Sequence, residues 1–280
     1  MGSGEPPDRL LKSFLLTTKL PLGELRMSRL LKALPLALAL AVLTIFAASC
    51  GSNAPAQVRF VHAIQDANAL DIDVSGPNVT SKQEFTDISF LSVQPNQPGY
   101  TSIPSGSDTI EGFLTGTTSE AFSDSVSWGG GAQYTVIATG FSQTGVKKGD
   151  NVVLLSIPDN IPAPPSGDVE FRVIHASPSG PGTVDVYIEL NPNSGPGLPI
   201  TIKGLAYTQA SNYVYFNFNP NNDTPPPGFT VYVTASGSTI PIISEPINPA
   251  NAGAARTLVL TDVQDGTSMR QLFLELSDLD

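Results

Sequence analysis

The sequence predicts an all-β protein built as two tandem β-sandwich domains, and three observations carry that prediction. Apolar and polar residues alternate with a period of two along short segments, as in Val184, Val186 and Ile188 against Asp185 and Tyr187. Gly and Pro number 25 each, a turn-rich composition that disfavours a helical protein. A six-residue block, Val58-Arg-Phe-Val-His-Ala63, recurs as Phe171-Arg-Val-Ile-His-Ala176. The 280 residues are 40% hydrophobic, enough to build a core. A net charge of −11 argues against nucleic acid as a partner, because phosphate backbones select basic surfaces.

Residues 1–49 read as an export signal in place of a folded element. The run ALPLALALAVLTIFAA (33–48) follows Arg29 and Lys32 and ends in small residues, the three parts of a secretory signal. Met27 opens a compact signal by itself, so the true start of translation is read as Met27. Cys50 is the one cysteine of the chain, which excludes an intrachain disulfide and any multi-cysteine metal site. Six of the 14 basic residues and three of the 25 acidic ones precede Cys50, so the exported remainder carries a net charge near −14. Such a surface suits solubility and argues against charge-driven docking on anionic lipid.

The body divides at residues 159–168, DNIPAPPSGD, a stretch with linker composition. Residues 50–56 form a tether, 57–158 one sandwich and 169–280 a second. Beyond the six-residue block, Leu70-Asp-Ile-Asp-Val74 matches Val184-Asp-Val-Tyr-Ile188, and Tyr100 matches Tyr213. Ala132–Ala138 matches Ala254–Leu260, which aligns Thr135 with Thr257. Strands are expected over 58–63, 70–74, 133–140, 152–157, 171–176, 184–188, 213–218, 229–234, 256–261 and 271–276. Clusters of Gly, Pro, Asn and Ser separate many of them, as the short strands of a sandwich or barrel require.

Two residues before Cys50, Ala48 and Ser49, together with Gly51 and Ser52 after it, resemble the bacterial lipobox, in which the cysteine becomes the lipidated first residue. Ala47 stands where that pattern usually has Leu. The repeated blocks, with Leu70-Asp-Ile-Asp-Val74 and Val184-Asp-Val-Tyr-Ile188 downstream, resemble the domain-of-unknown-function 4397 family. Its pattern falls here on Arg59, His62, Ala63 and Asp71, and on Arg172, His175, Ala176-Ser177-Pro178, Asp185 and Tyr187. The first block departs from it, with Ile64-Gln65 for Ser-Pro and Asp73 for Tyr. The resemblance implies an immunoglobulin-like sandwich, often in tandem, in exported and envelope proteins; it brings no assigned catalysis and leaves activity open.

Several residues are candidates for chemistry. His62 and His175 sit on apolar strand faces, with Asp71 and Asp185 nine and ten residues on. They read either as a His–Asp acid–base pair or as strand-end histidines bonded to a turn. Arg59 and Arg172 lie on the face opposite the histidines, for a carboxylate link across strands or for an anion. Asp71-Ile-Asp-Val-Ser-Gly76 copies the opening of a calcium loop, but Lys82 stands where a bidentate acid is needed. Trp128, Tyr213, Tyr215 and Tyr232 are expected as exposed rings, read either as a surface for stacking on sugar or peptide or as tyrosines covering a sandwich rim with their hydroxyls in water. No G-x-S-x-G elbow or H-E-x-x-H zinc motif occurs. The sequence therefore leads to a non-enzymatic envelope lipoprotein, a spacer or interaction module held to a membrane by lipid. Glycan binding through the aromatics is the alternative, and a His/Asp hydrolase ranks third; no cofactor or metal is expected.

Overall fold

The structure is a computed structural model and describes residues 54–67, 69–142, 151–159, 163–190, 201–217, 228–247, 252–265 and 268–279. The expectations for the signal segment and Cys50 lie outside the described residues. The described chain is strand and loop without helix, as the period-two alternation requires. In the first half, β1 (Ala56–Ile64), β4 (Val93–Gln94), β5 (Thr101–Ile103), β8 (Gln133–Gly140) and β9 (Val153–Pro158) form one sheet, in the order β4-β1-β8-β9 with β5 also on β1. Its facing sheet has the order β3-β2-β6-β7, from β2 (Ala69–Ser75), β3 (Gln83–Ser89), β6 (Gly106–Leu114) and β7 (Glu120–Trp128).

The second half repeats this arrangement. β10 (Asp168–His175), β13 (Val214–Asn217), β16 (Ala255–Asp265) and β17 (Ser268–Leu279) give the order β13-β10-β16-β17. β11 (Thr183–Leu190), β12 (Ile202–Ala206), β14 (Phe229–Ala235) and β15 (Pro241–Ile247) give β12-β11-β14-β15. In each half the first strand pairs in parallel with a late one: Arg59 lies opposite Thr135 on β8, and Arg172 opposite Thr257 on β16.

Each pair of sheets closes on its own core. Phe60, Leu70, Ile72, Ile110 and Val136 fill the first, where the Phe60 and Phe85 rings stand 4.7 Å apart. Phe171, Val186, Val231 and Leu258 fill the second. Burying one such side chain contributes about 1.5–3 kcal/mol. On β2 the alternation is clean, with Leu70, Ile72 and Val74 inward and the aspartates between them outward. β1 and β10 behave differently: both of their faces are buried.

The reason is a third apolar cluster. Val61, Ala63, Val93, Ile137 and Leu155 of the first half pack with Ile174, Ala176, Val259 and Leu276 of the second. The inner sheets of the two halves thus lie against each other, and four sheets stack in succession. A strand in an inner sheet has no solvent side, so it reads as a nearly continuous apolar run.

Candidate functional site

The polar residues singled out by the sequence collect at two kinds of place. The histidines end β1 and β10, and the arginines sit in the layer between the inner sheets. His62 is fully buried; its Nδ1 accepts the amide of Ile64 at 3.1 Å. The proton is therefore on Nε2, which donates to the carbonyl of Ala67 at 3.0 Å. His175 repeats the pattern, with Nδ1 accepting from the amide of Ser177 at 3.3 Å and Nε2 donating to the carbonyl of Pro181 at 2.8 Å. Burial pushes His62 down to about 4 and lowers His175 as well. Each ring staples a strand end to its following turn, and both nitrogens are occupied in doing so.

The aspartates of the family motif are bonded elsewhere than to the histidines. Asp71 accepts the amide of Asp87 and the hydroxyl of Thr115, each at 2.8 Å, and these bonds hold its pKa down, the amide foremost. Asp185 accepts the amides of Gly204 at 2.8 Å and Gly237 at 2.9 Å and the hydroxyl of Ser236 at 3.2 Å. Each carboxylate thus ties the strand that carries it to neighbouring strands and turns. Asp73, the second acid of the calcium-like opening, pairs at 2.8 Å with Lys82, the residue where a calcium loop needs its acid.

Three of the four rings expected to be exposed are not. Trp128 is 4% exposed, because its indole Nε1 donates to Asp108 at 2.9 Å and its ring lies edge-on to Tyr134 at 5.2 Å. Tyr232 is buried, because both faces of β14 are covered. Tyr213 is half-buried beneath the Arg172 guanidinium, 4.9 Å from its centroid. Tyr215 alone stays open, at 48% exposure. The stacking platform is not assembled, since period-two alternation gives a face but does not say what covers it.

The arginines build the most connected polar site of the described residues. Arg59 donates through Nε to Thr135 Oγ1 at 2.8 Å, and Thr135 donates to Asp159. Tyr100, its ring 5.0 Å from the Arg59 guanidinium, donates to Asp159 at 3.1 Å. The second half does the same: Arg172 Nε donates to Thr257 at 2.7 Å, Thr257 to Asp278 at 2.5 Å, and Tyr213 to Asp278 at 2.9 Å. The two sets then cross. Arg59 pairs with Asp278 and donates to the carbonyl of Ser277 at 2.9 Å, while Arg172 pairs with Asp159 and donates to the carbonyl of Pro158 at 3.0 Å.

Each arginine is therefore gripped by its own half through threonine and tyrosine, in Arg59 also through Asp159 at 3.6 Å, and by the other half through an acid. The carboxylate link expected across strands exists, but it joins the two halves. All four charged groups are at most 3% exposed, so each charge depends on its partner for compensation. Burial, foremost, together with the acids raises Tyr100 and Tyr213 well above the ordinary tyrosine range, so both rings act as proton donors at any physiological pH. Asp159 opens the segment that the sequence assigns to a linker, and Asp278 stands near the end of β17; neither carries a motif. No common spacing marks them either. They lie 24 residues after Thr135 and 21 after Thr257.

Residues 56–187 match the family model for a domain of unknown function, DUF4397. That span runs from β1 into β11 and so contains both Arg-x-x-His-Ala blocks. No curated protein matches the sequence. A product complex of the multi-modular glycogen-degrading pneumococcal virulence factor SpuA overlaps at 12% identity and a TM-score of 0.24, over 76% of this chain. The chain spans only 21% of that protein. A proposed adhesin from Bacteroides ovatus overlaps at 9% identity and a TM-score of 0.21, covering 78% of this chain and 95% of its own. A proposed cell adhesion protein from Bacteroides eggerthii does so at 10% and 0.18, covering 80% and 96%. At these TM-scores the overlaps carry no argument about this chain.

Proposed function

We propose that the chain belongs to the DUF4397 family and is a non-enzymatic lipoprotein of the bacterial cell envelope. It consists of two copies of one sandwich unit, tethered through Cys50, and serves as a spacer and interaction module. The carrying observation is where its reactive groups are used. His62, His175, Arg59 and Arg172 are buried and spend their polar atoms on internal bonds, which is scaffold chemistry. A scaffold braced in this way presents its connecting loops for recognition, with the sandwiches holding them in place. The lone cysteine stands where a lipobox needs it, and an acyl chain contributes about 0.8 kcal/mol of membrane affinity per buried methylene.

Two measurements test this reading. Mass spectrometry of the exported protein should find an amino-terminal, acylated Cys50; an unmodified Cys50, or a retained 27–49 segment, refutes the anchor. A binding screen of the purified chain against envelope proteins and glycans should return a ligand whose binding is lost on loop substitution and kept when His62 and His175 are replaced. Turnover of a substrate by the purified chain would refute the non-enzymatic assignment.

A further inference from the structure

The layer between the two halves has a property that goes beyond bracing. Under the correspondence that sets Arg59 on Arg172, Tyr100 on Tyr213, Thr135 on Thr257 and Asp159 on Asp278, the arginine cross-contacts map onto one another, whereas the bonds of Gln97 to Glu275 and Ser277 have no counterpart. Arg59 to Asp278 becomes Arg172 to Asp159, and the carbonyl of Ser277 becomes that of Pro158. The apolar part maps in the same way. Val61 and Ala63 correspond to Ile174 and Ala176, Ile137 to Val259, and both sets lie in one cluster. Contacts in which residue i meets j while the equivalent of j meets the equivalent of i define an isologous, two-fold interface. The symmetry is broken at small points. Thr139 donates to the carbonyl of Ala176 at 2.6 Å, whereas its counterpart Thr261 has no hydrogen-bond partner for its hydroxyl.

We propose that the inner-sheet face of each half is a homotypic pairing surface, whose fitting partner is a second copy of the same sandwich. In this chain the partner is supplied in cis, so the protein is an internal dimer and moves as one body. The face suits no dissimilar partner as well. It presents a buried guanidinium and a buried carboxylate at positions that meet their complements only when the opposing surface repeats them. This inference concerns the inner face alone and stands whatever the loops bind or the anchor proves to be.

The test uses the purified full chain carrying Arg59→Glu, which sets a carboxylate against Asp278 and opens the cis pair. The second half keeps Arg172, Asp278 and its apolar face, so two opened chains should pair through their second halves, Arg172 of each against Asp278 of the other. Light scattering should give a monomer for the unmodified chain and a doubled mass for Arg59→Glu. The double variant Arg59→Glu/Arg172→Glu should return to monomer. An Arg59→Glu chain that stays monomeric, or a dimer that survives the second substitution, overturns the proposal. A milder variant, Arg59→Lys, guards against simple misfolding. Its amide exchange should quicken in β16 and β17 of the opposite half; quickening confined to the first half overturns the proposal as well.

Discussion

Asp159→Ala is the substitution that most directly measures what holds the two halves together. The carboxylate accepts from Tyr100 and Thr135 of the first half and from Arg172 of the second, and its side chain is 1% exposed. Removing it leaves the Arg172 guanidinium, itself 3% exposed, with two neutral acceptors, Thr257 and the carbonyl of Pro158, and without its directly paired carboxylate. Breaking a buried pair from one side costs about 3–5 kcal/mol, since the remaining charge stays desolvated without compensation. The total stability of a domain is about 5–15 kcal/mol, so the loss is a large fraction of it. Urea unfolding followed by tryptophan fluorescence gives the number, with Trp128 buried in the first core as the reporter. Asp73→Ala is the control: it removes an ion pair to Lys82, whose side chain is 48% exposed, and should cost less than about 1 kcal/mol. An Asp159→Ala loss no larger than that of Asp73→Ala would refute the claim that the crossed pairs carry the inter-half layer.

Three further outcomes follow from the same geometry. His62 titrates at about 4 when folded and near 6.5 when unfolded, so the unfolded chain binds the extra proton between those values. Stability is complete above pH 6.5 and falls as pH drops toward 4; urea midpoints should show about 2 kcal/mol lost from this group between pH 7 and pH 5, and a His62→Gln variant should lack that component. Gly112→Ala places a methyl 2.2 Å from the ring of Phe122 and should cost about 1–3 kcal/mol by denaturation, part of which Gly112→Ala/Phe122→Leu recovers. Trp128→Phe strips the indole donor from Asp108, whose other oxygen already has no hydrogen-bond partner, and should cost about 1–3 kcal/mol. Burial already raises the Asp108 pKa and the Trp128 bond opposes that, so the variant should push it higher still, readable by carboxylate NMR titration.

Much of the fold was legible because local physics set it. The alternation of Leu70, Ile72 and Val74 with aspartates marked β2, and the β-rich run at 133–140 marked β8 to its ends. The hairpin of β6 and β7 was hidden, because Ser107, Ser123, Ser125 and Ser127 dilute the apolar signal of strands half open to solvent. The parallel pairing of β1 with β8 was hidden for a different reason: it joins residues about 76 positions apart, and no turn in the sequence announces it. The repeat did align Arg59 with Arg172, Tyr100 with Tyr213 and Thr135 with Thr257, so six members of the crossed network were visible as matched pairs. Their function was not, because a period of two tells which residues share a face and says nothing about a second sheet covering that face. Tyr213 was placed in solvent for that reason, and the same blindness put Asp159 in a linker.

The identity of the buried arginines narrows what this layer was selected for. If the face needed only cohesion, apolar residues in place of each pair would serve at least as well, since buried ion pairs seldom outperform them. What the pairs add is direction. Arg59 completes its hydrogen bonds only when Asp278 and the Ser277 carbonyl arrive together, although Asp159 of its own half lies 3.6 Å away, and Arg172 completes its own only when Asp159 and the Pro158 carbonyl do. A lateral slip of one inner sheet over the other would keep most of the contacts among Val61, Ile137, Ile174 and Val259 yet strand both guanidiniums at once. The apolar cluster therefore supplies the attraction and the charges select one alignment. Register between the two inner sheets is thus set by the polar pairs, and cohesion by the apolar cluster.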